Sequence, residues 1–515
     1  MNLADLVRDA AGSEPDRAAI LFRGRPMSYG QLDQRVDLTA AALRSVGVSR
    51  GDRVALLAGN VPEFVTTFYG ILRAGAVACP LNTLLTPEEF GPTLAHAGVK
   101  VAVTELPSLS GLLAVRDRLA DFRTILVIGG PPAPRGTLSL EEALADQRTD
   151  AVRDAGADRG DLAVIAYTAG TMAAPKGVML THGNLLANLE QMSGVPRLAL
   201  SRHDVALLAL PLFHIYALNA VLGMCMRHGC AVMLMERFDP DESMRLIELH
   251  GVTVLPGAPP MFAAWLGLPD PVPSLSSVRL AFSGAAALPQ EVLKEFRQRF
   301  GITIWEGYGL TECAPAVTSN AVGAEAKGGS IGLPIPGVDV RLVGEHGEAI
   351  EEDDPGEVQV RGPNVFAGYW NNPEATADAF EGDWFKTGDV AVQDDDGYLF
   401  IVDRKKDLII VSGFNVYPKE VEEAIARHPK VADVAVVGVP DDRTGEAVEA
   451  WVVPRGGERL VGEEVLEFLH DHLARFKCPK DIRVVEEIPR QATGKVVRRA
   501  LRAKEAAARS EEQTA

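Results

Sequence analysis

Cysteine, positive charge and long apolar runs are all scarce in this chain of 515 residues. Its five cysteines, Cys79, Cys225, Cys230, Cys313 and Cys478, are odd in number and scattered. That spacing excludes a disulfide framework, and no Cys/His cluster has zinc spacing. They read as small buried or half-buried thiols. Lys and Arg number 51 against 70 Asp and Glu, a net charge of -19. This argues against nucleic acid as a main partner and gives no general attraction to anionic lipid. No apolar run reaches about 18 residues, and no charged-then-apolar leader opens the chain. A cytoplasmic protein with no transmembrane segment is expected. The phosphate-binding pattern G-x-x-x-x-G-K-[ST] is also absent.

A chain of this length with 47% hydrophobic residues should form two or more well-buried domains. The first 400 residues or so repeat an α/β rhythm. RVALLA (53–58) reads as a strand, PEFVTTFYGILRAG as a helix and AVACPL as the next strand. VRLAFSG (278–284), LPQEVLKEFRQRFG and ITIWEGYG repeat that order further on. Alternation of this kind predicts parallel sheets flanked by helices, with ligand sites at the carboxyl ends of strands. Residues 330–403 alternate with period two between acidic Gly turns and predict a small antiparallel, barrel-like unit. After Arg404-Lys405-Lys406-Asp407, about 110 residues suffice for a small α+β domain. Domains of 1–403 and 404–515 are expected, the last dozen residues forming a fraying helix or a disordered tail.

The stretch Tyr167–His182, YTAGTMAAPKGVMLTH, is the most informative. It places a Thr/Gly turn and a Pro-Lys-Gly after the apolar strand DLAVIAY. Gly170 and the alanines let backbone N–H groups approach a ligand. Thr168 and Thr171 add hydroxyls, and Lys176 adds a positive charge. That is the chemistry a polyphosphate needs, although by composition the stretch reads equally as an ordinary Gly/Thr turn. In GYGLTE (307–312), Tyr308 offers a flat face for a base, Thr311 a hydroxyl for a phosphate and Glu312 a hard oxygen ligand for Mg²⁺. Taken alone, that segment also reads as a helix start capped by Thr311. KTGDV (386–390) sets Asp389 after a Gly turn, suited to a ribose diol or to an Asx-turn. PRQATGKVVRR (489–499) presents Lys495 on a Gly-containing loop within a basic run.

In this order and at these separations, the segments resemble the adenylate-forming (ANL) superfamily of acyl-CoA synthetases, aryl-CoA ligases, luciferases and peptide-synthetase adenylation domains. The resemblance runs from about residue 10 to about 503. It takes in SGAAALP (283–289), SIGLPIPG (330–337), VRGPNVFAGYW (360–370), DWFKTGD (383–389) and IVDRKKDLIIVSGFNVYPKEVE (401–422). It implies an α/β fold: a large N-terminal domain of parallel-sheet subdomains plus a small β-barrel, then a small mobile α+β C-terminal domain. It implies an acid–thiol ligase that uses ATP, Mg²⁺ and CoA. A carboxylate attacks the α-phosphate of ATP to give acyl-AMP and pyrophosphate, and a thiol then displaces AMP.

By that resemblance Lys495 bridges the carboxylate and the α-phosphate, and Glu312 holds Mg²⁺. Thr168, Gly170, Thr171 and Lys176 cradle the β- and γ-phosphates, Tyr308 and Ala285 hold adenine, and Asp389 and Arg404 hold the ribose. Lys406 is the hinge on which the C-terminal domain turns, bringing Ser412 and Gly413 to the pantetheine thiol. His214 is a candidate gate between the acyl and pantetheine channels, or else a core histidine with one satisfied nitrogen.

The chain departs from the family loop YTSGTTG-x-PKG at Ala169, Met172 and Ala173. Two hydroxyl donors are lost and a Cβ is gained, which predicts weaker ATP binding, a slow or specialised enzyme, or a binder without turnover. PLFHIYALNAVLGMCM (211–226) resembles the acyl-pocket segment and holds no Asp or Glu, which argues against an amino acid substrate. His214, Ile215, Tyr216, Ala220, Gly307, Gly309, Pro315 and Ala316 should form an apolar pocket. A medium- or long-chain fatty acid is the favoured substrate, an aryl acid of the 4-coumarate type the alternative. Loading of a carrier protein in place of CoA is a further alternative, and the sequence leaves a homodimer open.

Overall fold

The computed structural model describes residues 1–130, 132–147, 156–168, 176–344, 350, 354–404, 407, 409–411, 414–441, 445–470, 473, 475–491 and 494–512. The chain divides into two compact units, Met1–Asp339 with Val360–Phe385, and Val340–Gln359 with Lys386–Ala515.

The first unit is built on two sheets. In the seven-stranded sheet the order is Leu138–Ser139, Thr124–Ile128, Val99–Glu105, Arg53–Leu57, Val77–Pro80, Leu162–Thr168 and Lys176–Thr181. All pairs are parallel except the last, where Leu162–Thr168 and Lys176–Thr181 form an antiparallel hairpin around the Thr/Gly turn. The nine-stranded sheet runs from Leu333–Pro334 and Ala316–Ser319 through Ile304–Gly309, Leu280–Ser283, Val254–Gly257, Val205–Leu208, Ala231–Leu234 and Ala18–Phe22 to Arg25–Ser28. Its central pairs are parallel and its two ends antiparallel.

Helices connect the parallel strands, as the alternation predicts. Pro62–Arg73 is buried on nearly every side, which fits its almost unbroken apolar sequence. His182–Ser193 starts with a capping box in which Thr181 and Asn184 satisfy each other's backbone amides. The His182 ring, itself buried, accepts from the Leu3 amide at 3.0 Å and so ties the first residues to this helix.

The second unit contains a five-stranded sheet of Phe414–Val416, Ile409–Val411, Gly445–Pro454 and Val431–Asp441, with Asp481–Val484 parallel to Gly445–Pro454. Both faces are covered, because alternate residues of Gly445–Pro454 point opposite ways. Val448, Ala450 and Val452 pack with Val421, Ile425, Val465 and Leu469. Ala447 and Trp451 pack with Leu501 of the helix Arg498–Glu512. A helix, Gly462–His470, and a short turn, Arg475–Lys477, follow in the chain, with residues 471, 472 and 474 outside the described residues.

The period-two stretch forms a second five-stranded sheet, Asp339–Val343, Gly356–Arg361, Trp384–Gln393 and Phe380–Glu381, with Leu399–Arg404 antiparallel to Trp384–Gln393. Among the described residues no helix is long and apolar enough to cross a membrane. All five cysteines are free, four of them buried.

Candidate active site

Thr168 and Lys176, the described residues on either side of the Thr/Gly stretch, face each other across the hairpin. Gly170 and Thr171, with Ala169, Met172 and Ala173, lie outside the described residues, as does the side chain of Thr168. Lys176 is exposed, and its Nζ sits 5.0 Å from the centre of the Tyr369 ring. The Tyr369 hydroxyl donates to Glu312 Oε1 at 3.1 Å. Burial, and then the Glu312 carboxylate, hold this phenol protonated by pushing its pKa well up.

One segment makes that meeting possible. Ala367 and Trp370 donate backbone hydrogen bonds to Met179 and Gly177 of the hairpin, and Phe366 donates to the Glu312 carbonyl. Residues 366–370 therefore form a seam between the strand Lys176–Thr181 and Glu312. The sequence singled out VRGPNVFAGYW without giving Tyr369 a role.

Glu312 and Thr311 lie in the one-turn helix Thr311–Cys313 that follows the strand Ile304–Gly309. Thr311 does not cap a longer helix as the isolated motif suggests: the turn closes after three residues, where Ala314 is left-handed (φ 65) and a cis Ala314–Pro315 bond follows. Gly309 permits this return. A Cβ there would lie 2.1 Å from the Pro315 carbonyl oxygen, so no other residue fits.

The turn is held from behind by buried amides that the sequence did not disclose. Asn364 Nδ2 donates to the Cys313 carbonyl at 2.8 Å, and Asn219 Nδ2 donates to the Ala314 carbonyl at 2.7 Å. Asn188 both donates to and accepts from the backbone of Ala316. Gln191 links Asn364 to the Gly337 carbonyl. Each is a buried neutral side chain, and loss of one leaves buried polar groups short of a partner at a cost of about 1–3 kcal/mol. In sequence these are ordinary Asn and Gln residues on helices and turns. Only long-range contacts mark them.

Two parallel strand ends carry the adenine candidates. Ser283 is in register with Glu306, and Ala285 and Tyr308 each follow two residues later in the chain. Glu306, buried, accepts from the Leu288 amide at 3.0 Å and ties the SGAAALP turn to the Tyr308 strand. Ala285 is exposed with φ 72, a strained conformation for alanine. Tyr308 is half-buried.

The acyl-pocket candidates gather around the wide helix Tyr216–Gly223, a π-helix. Such turns are rare overall and frequent at functional sites. Ile215 and Ala220 are buried, and His214 is half-buried with its ring centre 5.3 Å from that of Phe213. Asn219 joins this helix to the Ala314 carbonyl, next in the chain to Pro315 and Ala316. Gly307 lies in the same strand as Gly309. The Tyr216 hydroxyl points at the carbonyls of Gly257 and Phe282, each 3.2 Å away, and its ring packs under Gly284.

The second unit holds the remaining candidates. Asp389, 3% exposed, stands directly opposite Arg404 on paired strands. It lies inside the long strand Trp384–Gln393, kinked at Gly388 (φ 72), and does not end a separate turn as the sequence suggested. The Arg404 side chain is outside the described residues, as are Lys406, Ser412 and Gly413. Lys495 is part of a small hairpin in which Gln491 N donates to Lys495 O at 2.8 Å and Arg490 pairs with Val496.

A family model described as "AMP-binding enzyme" matches residues 7–370, and its companion, "AMP-binding enzyme C-terminal domain", matches residues 420–495. The chain belongs to the AMP-binding enzyme family. The enzyme is 36% identical to a long-chain-fatty-acid–CoA ligase of Bacillus subtilis (strain 168), over 97% of this chain and 94% of that one. It is 38% identical to a feruloyl-CoA synthase of an Amycolatopsis species, over 95% and 96% of the two chains. The ATP-bound crystal structure of MatB from Rhodopseudomonas palustris matches with a TM-score of 0.89 at 34% identity, covering 98% of this chain and 99% of that one.

The enzyme is thus an ATP-dependent, AMP-forming acid–thiol ligase with the ANL fold, using ATP, Mg²⁺ and CoA. Among the described residues no three His, Cys, Asp or Glu side chains cluster to cage a metal. A single carboxylate such as Glu312 still fits Mg²⁺, which is commonly held by one or two carboxylates together with substrate phosphates.

Proposed function

We propose that the enzyme converts a medium- or long-chain fatty acid to its CoA thioester through acyl-AMP. The observation that carries this reading is the chemistry of the pocket candidates. Ile215, Ala220, Gly309, Pro315 and Ala316 are uncharged and mostly small. The Tyr216 hydroxyl, the group suited to pair with a ring hydroxyl, already directs its proton to strand-end carbonyls. An apolar chain needs no such partner, whereas a hydroxycinnamate would lose one. A relative named as a long-chain-fatty-acid–CoA ligase supports the same substrate. The feruloyl-CoA synthase relative supports an aryl acid as the second reading.

In the first step a carboxylate oxygen attacks the α-phosphorus and pyrophosphate leaves. Two anions meet there, so the site must supply positive charge. In this reading Lys495 provides it between the carboxylate and the α-phosphate. Lys176, with Thr168, Gly170 and Thr171, holds the β- and γ-phosphates. Ala285 and Tyr308 hold adenine, and Asp389 and Arg404 the ribose. Mg²⁺, when bound at Glu312, neutralises pyrophosphate oxygens. Tyr369 fixes the direction of the Glu312 carboxylate by donating to Oε1.

In the second step the CoA thiol gives up its proton, its sulfur attacks the acyl carbon and AMP leaves. A C-terminal domain from residue 404 turning on Lys406 would withdraw Lys495 and present Ser412–Gly413, while His214 gates the thiol's approach.

Acid-dependent AMP release from Mg-ATP, with and without CoA, across graded fatty acids and cinnamic acids tests the proposal. Release that needs CoA and peaks at one chain length is expected. A peak on cinnamates assigns the enzyme to aryl acids. Acyl-AMP formation with no CoA dependence, but transfer to a carrier protein, removes CoA as acceptor.

A further inference from the structure

The hairpin that carries Lys495 continues directly into the helix Arg498–Glu512, and two arginines of that helix reach the same carboxylate. Arg502 Nη2 donates to Asp407 Oδ1 at 3.0 Å, and Arg498 Nη1 lies 4.0 Å from Asp407 Oδ2. Asp407 is 7% exposed and directly follows Lys406. Arg498 also donates to Glu422 Oε1 at 2.7 Å and to the Val436 carbonyl at 3.1 Å, so the helix start is fixed to two further elements. Leu501, on the turn between the two arginines, is fully buried. At its other end the hairpin is pinned by Arg490, which makes bonds of 2.7 and 2.8 Å to the Asp433 carboxylate.

We propose that Arg502, Arg498 and Asp407 form a positioning clamp that fixes Lys495 to the hinge-side segment, so that both turn as one body. The clamp rests on the reading of Lys495 and Lys406 given above. Its physical basis is a difference in how two catalytic segments are tied to Asp407. Ser412 and Gly413 follow Asp407 along the chain through the short strand Ile409–Val411. Lys495 is far away in sequence and reaches the hinge side only through the fold. A buried carboxylate bonded by the Arg502 guanidinium, with that of Arg498 4.0 Å away, resists displacement, because losing the bond weakens the charge's pairing in a poorly hydrated place. Loosening the clamp should therefore blur the position of Lys495 while leaving the Ser412–Gly413 segment in place.

The test compares Arg502→Gln, Asp407→Asn and the double variant in the full-length enzyme, with Lys495→Ala alongside. Two half-reactions are measured separately: acid-dependent exchange of pyrophosphate into ATP, and CoA thioester formation from supplied acyl-AMP. Folding is followed by thermal melting. Each single variant should lower kcat for adenylation about 10-fold or more at unchanged ATP KM, as misplacement of a catalytic group does. Thioester formation should stay within about two-fold, and the double variant should be no worse than the worse single one. Arg502→Lys should restore most of the lost rate.

Folded variants with unchanged adenylation overturn the clamp, as do equal losses in both half-reactions, which would mark a scaffold role alone. Should melting show that a single variant is unfolded, the rescue by Arg502→Lys decides: a folded Lys variant with a normal split between half-reactions supports the clamp, and one slowed equally in both overturns it. Adenylation that survives Lys495→Ala overturns the reading of Lys495 itself, and the clamp with it.

Discussion

Acid should weaken the first unit through His182. The ring is 1% exposed, and its Nδ1 accepts from the Leu3 amide at 3.0 Å. That acceptor exists only in the neutral tautomer with hydrogen on Nε2, and protonation sets a donor against a donor. Burial holds the pKa down at about 4, against 6.5 for a free ring, although the nearby Asp161 pulls the other way. Between these values the unfolded chain binds more protons than the folded one. Stability from this group is therefore full above about pH 6.5 and is lost as pH falls towards 4.

Integration across the window gives a loss of about 1 kcal/mol at pH 5.5 and about 2–3 kcal/mol at pH 4.5. His182→Gln cannot titrate. It should be less stable than the parent at pH 7.5, and the gap should close by those amounts at the lower pH values. Urea unfolding of both proteins at the three pH values measures it, since groups common to both cancel in the difference. A gap that does not change with pH would refute the reasoning.

Glu449 should act in the opposite direction. It is buried beside Glu505, both carboxylates paired to Arg483, and burial with the neighbouring carboxyl raises its pKa. A raised carboxyl contributes stability that fades as pH climbs through its folded pKa. The melting temperature of Glu449→Gln relative to the parent should therefore rise between pH 5 and pH 8. Asn364→Ala should cost about 1–3 kcal/mol in chemical unfolding, because the Cys313 carbonyl and the Gln191 amide each lose a buried hydrogen bond. Its adenylation kcat should fall as well, since the turn behind Glu312 loosens. Restoring the family residues with Ala169→Ser and Met172→Thr should lower the ATP KM, and an unchanged KM would mean that the loop compensates elsewhere.

Much of the fold was legible because it rests on local rules. Strands such as Arg53–Leu57 and Ile304–Gly309, and helices such as Pro62–Arg73, follow from apolar runs broken by Gly and Pro. The order of the motifs was enough to indicate the family. The period-two stretch was read as sheet from alternation alone.

The candidate site was less legible, because its second layer is made by residues distant in sequence. Nothing local marks Tyr369 as the group that meets both Lys176 and Glu312. The same holds for Asn188, Asn219 and Asn364, whose partners lie 128, 95 and 51 residues away. The π-helix over Tyr216–Gly223 is equally hidden, since its sequence YALNAVLG reads as an ordinary apolar helix.

The sequence by itself determined which chemical groups this enzyme owns: a Thr/Gly stretch with altered residues, a carboxylate suited to Mg²⁺, a lysine at position 495 and a candidate pocket segment without charge. Their identity and order are properties of the chain. Tertiary structure alone decided which of them are aimed and held, because hydrogen bonds between Asn and distant carbonyls, and arginines closing on Asp407, exist only once the chain has folded back on itself.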